Sequence, residues 1–278
     1  MTDYRRQFAV PPGAPFDLAS RDPGYSDPKL DKAAAQPLIE KNRERLADLQ
    51  TRLYAEGRRA VLICLQGMDT AGKDGVVNHI LGTMNPMGCT VQAFKTPSEV
   101  ERAHDFLWRA HAAVPAKGWI GIFNRSHYEA VLIEKVRKLA PDDIIAQRYR
   151  QIADFERLLT ETGTVVVKFF LHISKDEQLE RFKKRLDDPA KQWKISAADY
   201  AEREYWDAYQ SACQIALEKC STAAAPWHVI PANRKWFRDL AVSEILAATL
   251  DDMKIQVPKP VVDLEKIRLQ YHAAAKKG

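Results

Sequence analysis

"AVLICLQGMDTAGKDG", residues 60–75, decides how this chain folds. Its first half is a continuous apolar run of the kind carried by strands buried on both faces. Its second half reads glycine, four residues, then Gly72-Lys73, the spacing of a loop that wraps phosphate. The helix-compatible "GVVNHILGTMN" follows directly, completing the strand–loop–helix order that such a loop needs. In that setting successive backbone N–H groups converge on phosphate oxygens, and the helix N-terminus adds to their field. Gly67, Ala71, Gly72, Lys73, Asp74 and Gly75 are therefore the expected phosphate-binding set, with Lys73 as a mobile cation on the transferred group.

The loop departs from the usual pattern in one respect. A Ser or Thr normally follows the lysine and places its hydroxyl on Mg²⁺. Here Asp74 follows, and a second carboxylate, Asp69, lies inside the loop. Carboxylates beside bound phosphate repel it unless a cation stands between them, and Mg²⁺ with its oxygen ligands is the natural bridge. Asp69 is the expected metal-linked and catalytic carboxylate. Asp74 either shares that work or favours the positive end of the helix dipole.

Outward from the loop, strands and helices alternate. Strands are expected at 60–66, 89–95, 119–124, 164–174 and 226–232. Helices are expected at 33–56, 98–112, 142–160, 175–187, 197–220 and 236–253, with Thr96 and Glu99 forming a capping box before the second of these. Such alternation implies an α/β fold, three layers with a central five-stranded parallel sheet covered on both faces. No Gly/Pro-rich linker divides residues 36–255. Residues 1–35, rich in Pro, Gly and Asp, read as an extended N-terminal arm, and 256–278 as a C-terminal tail.

"FNRSHYE", 123–129, falls at the carboxyl end of the third strand, where open parallel sheets gather ligand groups. Arg125 can reach phosphate oxygens with a fixed guanidinium fork. Asn124 can orient water or substrate without adding charge. Lys95, Asn124, Tyr128 and Glu129 make up the expected nucleotide-binding set, although Ser126-x-x-Glu129 also reads as a capping box. His127 has no metal-ligand spacing around it and reads as a surface or wall residue.

"RFKKRLDDPAKQWK", 181–194, holds six basic and two acidic residues, most of the chain's net charge of +5. A local excess of this kind suits an anionic ligand at one place. Leu179, Phe182 and Leu186 mark the expected buried stripe, leaving Arg181, Lys184 and Arg185 on other faces. Asp188-Pro189 stops the helix, and Ser196-x-x-Asp199 caps the next. The segment reads as a lid over about 181–200 that adds cations around phosphate and excludes water, with Trp193 at its hinge or anchoring it closed.

The remaining composition excludes several classes. In 278 residues, 46% apolar and 28% charged, no apolar run approaches the roughly 18 residues that span a bilayer. The first residues lack the apolar core of a secretory signal, and the four cysteines form no CxxC pair, a usage expected of a cytoplasmic protein. The basic residues are too localised, without interleaved aromatics, for a nucleic-acid surface. No guanine-reading Asn-Lys-x-Asp segment follows a late strand, which argues against a GTP switch.

"GMDTAGKDG", "FNRSHYEAVLIEKV" and "RFKKRLDDPAKQWKIS", in that order and separation, make the chain similar to family-2 polyphosphate kinases across essentially residues 35–255. "GKDG" in place of Gly-Lys-Ser/Thr is itself typical of that family. The resemblance implies a P-loop kinase-like fold similar to thymidylate kinase, with a helical lid. It also implies Mg²⁺-dependent, reversible phosphoryl transfer between inorganic polyphosphate and AMP, ADP or ATP. It puts Asp69, Lys73 and Arg125 at catalytic positions and Arg181 and Arg185 at lid positions facing the phosphate chain, with Lys184 beside them. Many members carry Asp where this chain has Asn124. The "NRSHYE" form points to the branch associated with AMP as well as ADP. Family habit implies a homodimer or homotetramer. The alternative within enzymes, an ATP-dependent nucleoside monophosphate kinase, would want Ser or Thr after Lys73.

Overall fold

The computed structural model describes residues 3–276. Met1 and Thr2 of the expected arm, and Lys277 and Gly278 of the expected tail, lie outside them. Five strands form one sheet: β1 (Ala60–Gly67), β2 (Cys89–Ala93), β3 (Ile120–Asn124), β4 (Thr164–His172) and β5 (Trp227–Pro231). Their order is β2-β3-β1-β4-β5 and every pairing is parallel. β1 is therefore central, and the direction of strand progression reverses around it, the place where open α/β sheets form a ligand crevice.

The helices are α1 (Tyr4–Phe8), α2 (Lys32–Glu56), α3 (Lys73–Val76), α4 (Glu99–Arg102), α5 (Trp108–Ala113), α6 (Ile133–Val136), α7 (Asp142–Glu161), α8 (Lys175–Leu186), α9 (Ala197–Arg203), α10 (Trp206–Cys220), α11 (Lys235–Asp252) and α12 (Leu264–Ala275). Alternation along β1 sorts the core. Val61, Ile63 and Leu65 pack with α2 and α11 on one face, while Leu62 and Cys64 meet Phe155 and Leu159 of α7 on the other. Ile145, Tyr149 and Ile152 of α7 join Cys213 and Leu217 of α10 under that second face.

Several expectations shift. β2 is exposed from Thr90 to Ala93, so the sheet is covered on both faces only inside this edge. The capping box belongs to Ser98 and Glu101, not Thr96 and Glu99, and the helix expected over 98–112 is two short pieces. Thr96-Pro97 stays in the loop after β2. The helix expected over 197–220 is likewise broken between Arg203 and Trp206, and the helix after the glycine loop passes into a π-turn at Val77–Leu81.

The arm is not simply extended. Its α1 buries Tyr4 and Phe8 against Phe237 of α11, with ring centroids 5.4 and 6.0 Å away. It then runs over the β5 edge, where the Val10 N–H donates to the Trp227 carbonyl at 2.8 Å. Among the described residues, no helix is long and apolar enough to cross a membrane.

Candidate active site

The carboxyl ends of β1, β2 and β3 open onto a cavity of about 1450 Å³. The glycine loop forms its floor. Gly67 has φ +151°, and a Cβ there would lie 2.6 Å from the Leu171 carbonyl oxygen. Gly72 has φ +105°, and its Cβ would lie 1.9 Å from Nη1 of Arg238. Only glycine lets the backbone pass both points.

Asp69, Gly72, Lys73, Asp74 and Gly75 all line the cavity. Ala71 does not. It is fully buried, and its N–H donates to the Met68 carbonyl at 3.0 Å. Gly67 borders a smaller adjoining pocket behind Asp69 and Arg125. Lys73 Nζ folds back to donate to the Gly67 and Met68 carbonyls at 2.7 and 3.2 Å.

Burial, helped by the nearby Arg125 cation, pulls the Lys73 pKa down to about 8 against the upward pull of Asp69, Glu129 and Asp74. Below that pH the ammonium is charged; as pH rises through it, the free site loses a cation. The value of kcat/KM for a phosphate donor should therefore fall as pH is raised through about 8, because this ratio reports groups of the free enzyme. A profile that stays flat up to about pH 10, the ordinary lysine range, would contradict that role.

Arg125 stands at the end of β3 with φ 58°. Its Nη2 donates to Asp69 Oδ1 at 2.5 Å and its Nη1 to Glu129 Oε2 at 3.4 Å. Asn124 Nδ2 donates to Asp74 Oδ1 at 2.7 Å. The two motifs separated in sequence are thus joined by two side-chain contacts, one per loop carboxylate. Asn124, Arg125, Glu129 and the exposed Lys95 all line the same cavity.

Several expected positions need correction. Tyr128 is fully buried, donates its hydroxyl to Glu156 and does not reach the cavity, so it is no nucleotide ligand. His127 is buried too, not a wall residue. Ser126 caps the short turn after β3, but Glu129 turns to Arg125, so no capping box forms. In α8, Leu179 and Leu186 are exposed, whereas Gln178, Arg181 and Phe182 are buried. Arg181 borders the cavity but gives its Nε to Glu177 and its Nη donors to the backbone carbonyls of Thr70, Ala71, Ala232 and Asn233. It braces the glycine loop from behind. Gln178 adds a bond to the Asp69 carbonyl at 3.1 Å.

Lys184, Arg185, Lys191 and Lys194 complete the cationic wall expected from the third motif. Helix α8 ends at Leu186 and Asp199 accepts from the Ser196 N–H at 2.7 Å, as the sequence implied. Trp193, in contrast, is 77% exposed, and its Nε1 donates to the Ala190 carbonyl at 3.1 Å. Four cations were missed: Arg102 of α4, Arg109 of α5, and Lys235 and Arg238 from the first turn of α11. Arg238 pairs with Asp239 through Nε and Nη2, which leaves Nη1 beside Gly72 and Gly75. The clue to the α11 pair was "NRKWFRD" directly after a buried strand.

A cation needs oxygen donors here. Asp69 and Asp74 supply carboxylates at the loop, and no group of three His, Cys, Asp or Glu residues able to hold a metal occurs among the described residues. That donor set fits Mg²⁺, which usually takes one or two carboxylates and completes its shell with waters and substrate phosphates.

Enzymes of the P-loop kinase class hold a phosphate chain against such a loop and pass its end group to an acceptor across the crevice, and the chain is of that class. Comparison narrows this. A family model described as polyphosphate kinase 2 matches residues 29–258. The AMP/ADP-polyphosphate phosphotransferase of Meiothermus ruber is 46% identical over 269 residues, 95% of this chain and 100% of that protein. The ADP-polyphosphate phosphotransferase of Rhodopseudomonas palustris is 43% identical over 95% of this chain and 96% of its own. The crystal structure of polyphosphate kinase 2 from Arthrobacter aurescens TC1 superposes with a TM-score of 0.93 at 45% identity, covering 98% of this chain and 97% of that one. The chain belongs to the polyphosphate kinase 2 family.

Proposed function

We propose that this enzyme transfers the terminal phosphoryl group of inorganic polyphosphate to AMP and ADP, giving ADP and ATP, and runs in either direction. The observation that carries the reading is the cavity itself. One wall beside the glycine loop is lined by Lys184, Arg185, Lys191, Lys194, Lys235 and Arg238, a donor site built from charge alone. Polyphosphate has no base or sugar to read, so such a wall is what recognition of it requires. The opposite end, with Phe94, Lys95, Thr96, Pro97 and Arg109, is mixed in character and suits the acceptor nucleotide.

In this reading the loop N–H groups and Lys73 hold the transferred group, and Arg125 stabilises the charge that spreads over its oxygens. Asp69 would hold Mg²⁺, with Asp74 and Asn124 supporting that side. Mg²⁺ supplies charge neutralisation between the phosphates and the carboxylates. Lys95 and Glu129 contact the acceptor. Residues 181–200 close as a lid. The protein works in the cytoplasm, in keeping with four unpaired cysteines, as a homodimer or homotetramer.

AMP and Mg²⁺, offered with polyphosphate or with ATP as sole donor, test the reading directly. ADP formation from polyphosphate supports it; formation from ATP alone contradicts it and favours a nucleoside monophosphate kinase. Within the donor wall, Lys184→Ala and Lys235→Ala should each raise the polyphosphate KM about three- to tenfold while changing kcat little, since they bind the chain before and during transfer alike. Their donor affinity should also fall less steeply with added salt than that of the unmodified enzyme. A loss confined to kcat would remove them from the wall.

A further inference from the structure

A buried charged cluster lies behind the turn that follows β3, and none of its side chains lines the cavity. Glu156 of α7 and Lys168 of β4 are 1% and 0% exposed and lie 2.5 Å apart. Lys168 Nζ also donates to the Cys220 carbonyl at 2.6 Å and to the Tyr128 hydroxyl oxygen at 3.0 Å. Glu156 Oε1 accepts the Tyr128 hydroxyl at 2.8 Å and lies 3.2 Å from His127 Nε2. Burial alone would raise the Glu156 carboxyl, but Lys168 and the His127 hydrogen bond hold it below the usual glutamate range. Burial also pushes the His127 imidazole down, so it donates as a neutral ring.

A buried ion pair of this kind is weak evidence for stability, since well-packed apolar residues often serve as well or better. Its partners suggest another role. His127 and Tyr128 open the short turn His127–Val131 that follows Arg125. Arg125 itself sits in the left-handed region, a conformation that persists only where the surroundings over-determine it. On one side its N–H donates to the Leu65 carbonyl at 3.0 Å. On the other, Ser126 Oγ accepts from Gln66 Nε2 at 3.1 Å, and the next two residues end on Glu156.

We propose that Glu156 and Lys168 are positioning residues: through His127 and Tyr128 they fix the turn that aims the Arg125 guanidinium and the Glu129 carboxylate into the cavity. The inference rests on the reading of Arg125 as the cation that stabilises transfer.

The test is a double-mutant cycle. Glu156→Gln with Lys168→Met removes both charges together and leaves neither buried alone; Tyr128→Phe removes one hydroxyl. In enzyme that melts cooperatively, the paired change should lower kcat about 10- to 100-fold, and Tyr128→Phe by about threefold or more. Both KM values should stay within about twofold. In an Arg125→Ala background the same changes should cost less than about twofold further. Equal fractional losses in both backgrounds, or unchanged kcat in a folded variant, would overturn the proposal. If the paired variant does not fold, Tyr128→Phe carries the cycle alone. An unmodified enzyme that uses ATP but not polyphosphate would contradict the proposed function, yet leaves this cycle measurable with the donor that works.

Discussion

Lys73→Ala should lose about a thousandfold or more in turnover while melting within about 4 °C of the unmodified protein. The two halves of that expectation have separate causes. Lys73 is the one lysine at the end of the glycine loop, and its ammonium donates to the Gly67 and Met68 carbonyls. Those bonds hold it in reserve at the place where phosphate oxygens gather, so their loss removes charge stabilisation that appears chiefly during transfer. For the fold, burying an ammonium carries a desolvation cost, seen in the lowered pKa of this group, and alanine removes that cost along with the two hydrogen bonds. Circular dichroism melts beside steady-state rates check both halves. Turnover within about tenfold of normal would take Lys73 out of the catalytic set.

Arg125→Ala should lower kcat by a similar order, about a thousandfold, with a much smaller change in polyphosphate KM. Its guanidinium pairs with Asp69 and Glu129, two carboxylates on different segments. It therefore sets how the second motif meets the loop, besides supplying charge to the transferred group. This split separates Arg125 from the donor wall, where Lys184 and Lys235 act on KM. Arg125→Lys should recover only part of the loss, because an ammonium cannot reproduce the planar fork. Full recovery by lysine would mean that charge alone suffices. A loss carried wholly by KM would move Arg125 into the binding wall.

The parts legible in the sequence were those set by local rules. All five strands lie where strands were expected, four of them largely buried and the edge strand β2 exposed, and the loop declared itself through glycine spacing in strand-to-helix context. Asp69 and Lys73 were found through the loop's spacing, and Asn124 and Arg125 because strand ends are where ligands gather; the structure brings all four to one cavity. What escaped was decided by packing between distant segments. Helix α8 buries Gln178 and Arg181 because the surface beneath it is the glycine loop's own carbonyls, a polar floor that reverses the usual rule for the buried face. Tyr128 was read as a ligand from its place after a strand, but the turn there points it inward, onto a carboxylate 28 residues away. Lys168 was hidden inside "TVVVKFFLHIS", where one lysine among apolar residues gives no hint that Glu156 waits across the core. Arg238 lies more than 160 residues beyond Gly72, and only the fold shows that its Nη1 sits beside that glycine.

In the proposed reaction phosphorus moves from a bare phosphate chain to a nucleotide at the glycine loop. Phosphorus NMR of the enzyme with polyphosphate, AMP and Mg²⁺, and no ATP added, follows that atom directly. The β-phosphate resonance of ADP should grow first and those of ATP follow, while polyphosphate shortens without matching orthophosphate, and Lys73→Ala should abolish the signal. Growth of orthophosphate alone, or a spectrum that stays unchanged until ATP is supplied, would contradict it.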